Sequence, residues 1–591
     1  MGQGGERSIR ARIGEAAHVL IIGGGQSCRW LLFAFLEHLL RNEGVPAVGQ
    51  ITVIEKRHTI GVGQAWSPDN ALPEHLATIP TPLSRSAYGA EQSIQFQRTA
   101  DALRRVGLRV DLKIDHVATA VRRREEGYEV NTANGQRLVA DIVVLAIGAS
   151  ERYVPSRVLT ALGLAKGNGI HLSPWPARCL QRAVFETAAP GGRPTGPRVL
   201  VLGSYLTAVD AALSLALHAG RFLPERDNSI RFEAHTNFSV VLASRFGQLP
   251  KIWRQVASEF PSLAEFGPDW LAQAKRSGDT GSHIPLEAAL DLLGPALPIS
   301  RGLAPLRTRV RAWLARERQC DPVEALRTEI AAASQFSERN GSRLQKPVAL
   351  TPWGLDEALR VLSEISPYFC AEDQLFFDRS MRTSVFNNLL PMALPTAMQI
   401  EALIQSGHLQ VIALGQRCKI HESEFASGTY ELRRLERHGM ASLDTFSDIV
   451  DATTKDQGAF ADGSALLFSM AQQGLLAQGL RGFRSRDTAL RLAALVPDSQ
   501  VVWAAGAPWW QADGIFVDPQ TCAVLHGGRG VVSAGASRLY AMGAMLGNQF
   551  VDAQSLGQAH RDASRIATDI FRMQRSGTCP QIPRTNSVGG A

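Results

Sequence analysis

Three consecutive glycines, Gly23, Gly24 and Gly25, stand between an apolar run and a helical pattern, and their spacing is the chain's most direct offer of chemistry. The run Val19-Leu20-Ile21-Ile22 reads as a buried strand, and apolar spacing predicts a helix from Gln26 to Arg41. A strand feeding a helix through a glycine turn aims free backbone N–H groups and the positive end of the helix dipole at one point. That point suits a pyrophosphate, so a dinucleotide is the expected ligand. Gly23 fills the tight turn and Gly25 the close approach to phosphate, while Gln26 and Ser27 open the helix. The third glycine position, where helix packs on strand, falls on Cys28, which is small enough for the task. A second strand over residues 51–54 ends in Glu55, where an acid accepts the ribose hydroxyls of an adenosine half. An intervening loop, residues 42–50, stretches the spacing beyond the usual ~20 residues. A glycine turn without ligand is the competing reading.

The theme returns in VLVLGSYLTAVDAALSLALHAG, a strand, a turn and an apolar helix over residues 206–219. Gly203 is the turn glycine, Thr207 lies in the first helical turn, and Ala208 takes the packing position. Tyr205, however, stands where backbone must admit pyrophosphate, and a phenol there is expected to crowd or cover the phosphate site. A strand over 239–243 follows and ends in Ser244-Arg245, where an arginine could meet the 2′-phosphate of NADP. Two readings stay open: a nicotinamide site with altered geometry, or a structural copy that has lost its ligand.

The elements that must position these turns are spread over 591 residues, enough for two or three domains. Hydrophobic residues at 45% and charged residues at 20% describe an ordinary globular chain that needs no staples. The net charge of +7 comes from scattered arginines without a basic, aromatic-interleaved block, so nucleic acid is not an expected partner. Seven widely spaced cysteines without a CxxC pair read as reduced thiols of a cytoplasmic protein. No apolar run approaches the ~18 residues of a membrane span, and the polar start shows no export signal. The first 16 residues and those from Arg575 read as loose ends.

In chain order, residues 56–85 are dense in Gly and Pro and are expected to form an ordered loop carrying Trp66, His75, Leu76 and Ile79. A helix follows over 90–106, then a meander of strands over 117–122, 127–132 and 137–139, and a buried strand over 142–145 with Gly148 at its tip. Residues 174–197 read as a Pro- and Gly-rich linker, and residues 253–403 are mainly helical. Strands are expected over 409–413, 430–435 and 449–452, a helix over 465–476, strands and a glycine turn over 514–517, 531–534 and 539–547, and a terminal helix over 554–573. The expected architecture is α/β, with two Rossmann-like dinucleotide-binding units and a largely helical insertion. Its parts are 1–196 and 456–591 for the first unit, 197–252 with 404–455 for the second, and 253–403 for the insertion. No GxSxG or HExxH occurs and the histidines are scattered, so neither a triad nor a metal site is expected. Arg85, Arg379 and Arg382 would suit a substrate carboxylate, although a solvated arginine is the commoner finding.

The ordered set IIGGGQS, VGQAWSPDNALPEHLATIP, GSYLTAVDAAL, ASRFGQLP, LPTAMQIEALIQSGHLQVIA, FSDIVDATT, GLLAQGL and LYAMGAMLGNQFVDAQSLGQAHRDA resembles a bacterial FAD/NAD(P)-binding family. That family includes flavin-dependent amino-group oxygenases of the nitrosuccinate synthase kind. The resemblance implies an FAD site carried by Gly23, Gly25, Gln26 and Glu55, with Gln64 and Trp66 in a loop near the flavin. It also implies that the turn around Gly543 and the start of the terminal helix face the flavin ring. The implied activity is that of an NADPH-using monooxygenase that hydroxylates the amino group of an amino acid or related small molecule with O2. Cys28, Tyr205 and Thr454 depart from the family's glycines. The alternatives are an amine or amino-acid oxidase or dehydrogenase that does not use NADPH, which Tyr205 favours, and a flavin-binding subunit without turnover. Substrate contacts and oligomeric state stay open.

Overall fold

The computed structural model describes residues 16–41, 48–77, 83–148, 157–164, 167–186, 196–226, 229–252, 266–276, 283–293, 297, 304–340, 353–415, 418–423, 428–436, 439–453, 464–476, 478–495, 501–504, 506–525, 538–547 and 549–575. The expected strand over 531–534, and Ile79 and Thr454, lie outside the described residues. The chain divides into two compact units, one of residues 1–64, 90–150 and 457–591, the other of residues 65–89 and 151–456. The boundary expected at 196 therefore falls inside the second unit, and the expected insertion 253–403 is part of that unit.

Each unit is built on a five-stranded parallel sheet. In chain order the ten strands are β1 (Ala17–Ile22), β2 (Val48–Ile54), β3 (Arg109–Lys113), β4 (Ile142–Leu145), β5 (Ile170–His171), β6 (Arg198–Leu202), β7 (Ser239–Ser244), β8 (Leu409–Ala413), β9 (Asp448–Asp451) and β10 (Leu539–Ala541). The helices that matter for the sites are α1 (Gln26–Arg41), α2 (Arg85–Arg105), α3 (Leu206–Ala219), α4 (Leu306–Gln319), α5 (Arg382–Leu389) and α6 (Leu556–Arg575).

In the first unit the strand order is β10-β4-β1-β2-β3. β1 lies between β4 and β2, and Val19, Leu20 and Ile21 are wholly buried. A parallel strand covered on both faces reads as a continuous apolar run, which is why period-2 alternation is missing from VLII. Burying each such side chain contributes about 1.5–3 kcal/mol. α1 and α6 pack against each other, with Phe35 and Phe571 ring centroids 6.2 Å apart. The Tyr540 hydroxyl of β10 donates to Asp569 of α6 at 2.8 Å, and burial pushes that phenol well up from its usual range. The expected meander is present as antiparallel strands Ala118–Arg123, Tyr128–Thr132 and Arg137–Ala140.

In the second unit the order is β8-β7-β6-β9-β5. An antiparallel pair, Gly220–Pro224 with Ile230–Ala234, and a three-stranded sheet of Cys418–Glu422, Tyr430–Glu436 and Gly439–Phe446 complete its strands among the described residues. The described residues between 266 and 405 are mostly helical, as expected, and include a π-helical turn, Phe377–Met381.

Residues 65–89 are held on α3 by a buried network. Arg85 meets Asp210 of α3 at 2.6 Å, with side-chain exposures of 12% and 6%. His75 is wholly buried; its Nδ1 accepts the Leu72 N–H at 3.2 Å, and its Nε2 lies 3.0 Å from the Ser214 hydroxyl. Burial lowers the His75 pKa, and a backbone donor on Nδ1 requires the neutral ring. Removing one partner of a buried ion pair strands the other charge, so Asp210→Ala is expected to cost about 3–5 kcal/mol in unfolding free energy. Glu233→Ala, which breaks the exposed Arg221–Glu233 pair, is expected to cost about 0–1 kcal/mol. Denaturant titration of the two variants checks the contrast, and similar losses would contradict it.

Candidate functional site: a glycine cradle

The first glycine turn is a place where four pieces of backbone meet. Gly23 has φ of +104°, donates its N–H to Ile54 O at 2.8 Å, and has Ala146 O 2.4 Å from where a Cβ would sit. No L side chain fits there. The Gly24 N–H donates to Glu55 Oε2 at 2.7 Å, and the Arg57 N–H donates to Oε1 at 3.0 Å. A carboxylate oxygen has two acceptor sites, so both oxygens of Glu55 keep capacity for a further hydroxyl.

A second loop lies on this turn. The Gly61 N–H donates to Gly24 O at 2.6 Å, and the Gln26 side-chain amide donates to Gly61 O at 2.7 Å. Gly61 and Gly63 both have positive φ, +82° and +74°. A Cβ on Gly25 would lie 3.3 Å from Gly63 Cα, so the missing side chain at Gly25 is also what lets the loop approach. The sequence signal for this loop is the pair of glycines in GVG just after Glu55. No acidic residue stands in the first turn of α1 itself, and Glu55 is the carboxylate nearest its start.

Gly543 comes to the same place from the other end of the chain. Its φ is +77°, and a Cβ there would sit 2.6 Å from Ser27 Oγ in the first turn of α1. Its N–H donates at 3.1 Å to Asp562 of α6, a wholly buried carboxylate that also accepts from the Gln558 amide at 2.6 Å and has Arg565 at 3.5 Å. Burial raises the Asp562 pKa while Arg565 and these donors oppose the rise. Sequence reading missed Asp562 and Gln558, because nothing local to them distinguishes a partner so far along the chain, and it missed Gly61 although the GVG pair marks it. Cys28 is wholly buried in the core, and burial, with Glu55 nearby, raises its thiol well above the usual range. It packs helix on strand, as expected of the third glycine position. Gly148, with φ of +70°, lies just past β4. Gln64 belongs to the first unit and Trp66 to the second, where its ring lies 4.7 Å from that of Tyr88, tilted by 54°.

The second turn repeats the first in part. Gly203 has φ of +118° and donates to Ala243 O at 2.7 Å, and a Cβ on it would lie 2.9 Å from Ala452 O. Ala208 is wholly buried, Thr207 is half-buried in the first turn of α3, and that turn also lacks an acid. Tyr205 is the N-cap of α3; its hydroxyl donates to Leu390 O at 2.8 Å, just past α5. The phenol is thus built into the contact of α3 with α5. Arg245 follows β7 and donates to Arg379 O at 2.8 Å. Of the three arginines considered for a substrate carboxylate, Arg85 is paired with Asp210 and Arg382 with Asp378. Among the described residues no group of three His, Cys, Asp or Glu side chains could hold a metal, and no helix is long and apolar enough to cross a membrane.

Residues 80–150 match a family model described as FAD-NAD(P)-binding. No curated protein matches the chain by sequence. Among solved structures the chain is similar to L-lysine 6-monooxygenase from Pseudomonas syringae, at 13% identity over 94% of this chain and 99% of that one, with a TM-score of 0.40. It is similar to ornithine hydroxylase from Pseudomonas aeruginosa at 11% identity, again over 94% and 99%, with a TM-score of 0.40. Thioredoxin reductase from Lactococcus lactis is 10% identical over 95% of this chain and 99% of that chain, with a TM-score of 0.37. The match over residues 80–150, within a chain folded around two parallel sheets, marks this protein as one with an FAD/NAD(P)-binding domain.

The first turn fits the adenosine diphosphate half of FAD, because it has a cradle that a Cβ would fill and an acid with free lone pairs at the end of β2. Gly25→Val is expected to lose flavin colour, its side chain crowding Gly63 and the phosphate approach. Visible absorption of the purified variant checks this, and a full flavin complement would remove the turn from the site.

Proposed function

We propose that this FAD/NAD(P)-binding oxidoreductase is an NADPH-using monooxygenase that hydroxylates the amino group of an amino acid or related small molecule. The observation that carries the reading is the double glycine turn, each turn ending a parallel strand and opening a helix whose first turn is free of acids. One turn suits FAD and the other a nicotinamide nucleotide, and the ordered motifs from IIGGGQS to LYAMGAMLGNQ support the amino-group chemistry. Bound FAD supplies two-electron transfer from a nicotinamide hydride to dioxygen.

The chain's own residues bind and position. Glu55 takes the adenosine ribose hydroxyls with the acceptor sites that Gly24 and Arg57 leave free. The N–H groups of Gly25, Gln26 and Ser27, where the turn opens α1, would hold the pyrophosphate. Asp562 is a positioning residue, holding the Gly543 N–H and with it the backbone beside Ser27. Gly203, Thr207 and Arg245 serve the nicotinamide nucleotide in the same way. Gln64 and Gly148 of the first unit would border the flavin.

One observation favours a second reading, an oxidase or dehydrogenase that does not use NADPH: Tyr205 stands at the phosphate approach of the second turn and is tied to Leu390. Anaerobic mixing with NADPH, followed on the flavin's visible band, separates the two. Bleaching by NADPH, and oxygen uptake that then depends on both NADPH and an amino acid such as aspartate, is the expected result. Bleaching by the amino acid alone, with NADPH inert, would replace the proposal by the oxidase, and a band that neither touches would leave a subunit without turnover.

A further inference from the structure

The meander of the first unit carries a cavity of about 220 Å³ on its outer face. Its middle strand, Tyr128–Thr132, alternates as an antiparallel strand covered on one side must. Tyr128 and Val130 are buried, and Val130 pairs with Val121 and Leu138, so these side chains face the core. Glu129 and Asn131 therefore share the other face. Arg122 stands directly across from Glu129 on one flanking strand, and Arg137 directly across from Asn131 on the other. All four line the cavity, with Gly135 and Gln136 of the turn at one end. The register shifts between Ala118 and Ala120, so Thr119 is an extra residue beside Asn131, and its hydroxyl donates to Asn131 O at 3.2 Å. Bulges of this kind re-aim neighbouring side chains and recur beside functional sites.

The polar groups of this face are left for something else to bind. Asn131 Oδ1 is shut off from solvent and accepts no hydrogen bond, whereas buried acceptors in native proteins nearly always have a partner. The acid of the face is already matched, Glu129 lying 3.4 Å from the guanidinium of Arg124. Among the described residues neither Arg122 nor Arg137 has a carboxylate partner. The two flanking strands lie two inter-strand spacings apart, about 9–10 Å between backbones. Cations so spaced suit the two anionic ends of one molecule better than a single anion, and a guanidinium fork matches a carboxylate. Glu129 and Asn131 lie between them on the middle strand, where the ligand must offer a hydrogen-bond donor. The volume restricts it to a small molecule, being below the ~300 Å³ at which pockets for drug-sized ligands begin.

We propose that this cavity binds a small dicarboxylate with an amino or hydroxyl group between its carboxylates. Arg122 and Arg137 take the two carboxylates, and Asn131 Oδ1 accepts from the amino or hydroxyl group. Arg124 keeps the charge of Glu129 from opposing the ligand. None of these residues belongs to the glycine cradle, and no bond is made or broken at the site. Its occupant stabilises the folded first unit by mass action, whatever the flavin does.

Calorimetric titration of the full-length protein with malate, succinate and sulfate reads the site. Malate has the central hydroxyl, succinate has the two carboxylates alone, and sulfate is a single anionic centre. Malate is expected to bind several-fold tighter than succinate, and sulfate much more weakly than either. Arg122→Ala and Arg137→Ala should each weaken malate about tenfold, since a hydrogen bond between charged groups is worth about that factor. Asn131→Leu should bring malate down to the affinity of succinate. Because Asn131 Oδ1 holds no partner, that variant should melt no lower than the parent when ligand is absent. Malate binding that is unchanged in the arginine variants would lie elsewhere and would overturn the site, as would a parent protein that binds no malate. Malate held no tighter than succinate would overturn the central donor, and equal affinity for all three anions would overturn the dicarboxylate assignment.

Discussion

No side chain fits where β1, β2, β4 and the Gly61–Gly63 loop converge, and the first unit depends on that exclusion. Ala146 O blocks a Cβ at Gly23, Ile60 and Glu55 block one at Gly24, and Gly63 crowds one at Gly25. Backbone groups thereby come within hydrogen-bonding distance of each other, Gly23 with Ile54 and Gly61 with Gly24. The same closeness keeps side-chain bulk off the turn that opens α1, where backbone N–H groups and the helix dipole favour an anion. Glycine's conformational cost is offset by what its absence of bulk allows.

Charge placement divides the protein differently. Buried charges are matched, as Arg85 is by Asp210 and Asp562 by Arg565 and the Gly543 N–H, because an unpaired buried charge would cost several kcal/mol. At the surface pairing matters less, as at the exposed Arg221–Glu233 pair, because solvent screens the charges.

Much of this was legible locally. The glycine triplet, the bounds of α1 and α3, the meander and the Ile142–Leu145 strand are encoded by neighbours in sequence, through period, length and turn residues, and the structure has them. Two short strands were not legible: Arg109–Lys113 alternates charged and apolar residues over five positions, too few to set a period, and Gly220–Pro224 ends on a proline. The helix predicted from 90 begins at Arg85, whose side chain is committed to Asp210. The contacts of Ser27 with Gly543, of Gly543 with Asp562 and of Phe246 with Arg318 join distant stretches, and no local pattern announces them. By sequence Tyr205 obstructs the phosphate approach; the structure adds a partner, Leu390 O, that only the folded chain supplies.

Titration of flavin-free protein with FAD and with FMN tests the central claim that the first turn and Glu55 hold the adenosine diphosphate half of a flavin. Tight binding of FAD, much weaker binding of FMN, and loss of that difference in Glu55→Ala are the expected results. Equal affinity for the two flavins, or a preference that survives removal of Glu55, would contradict it.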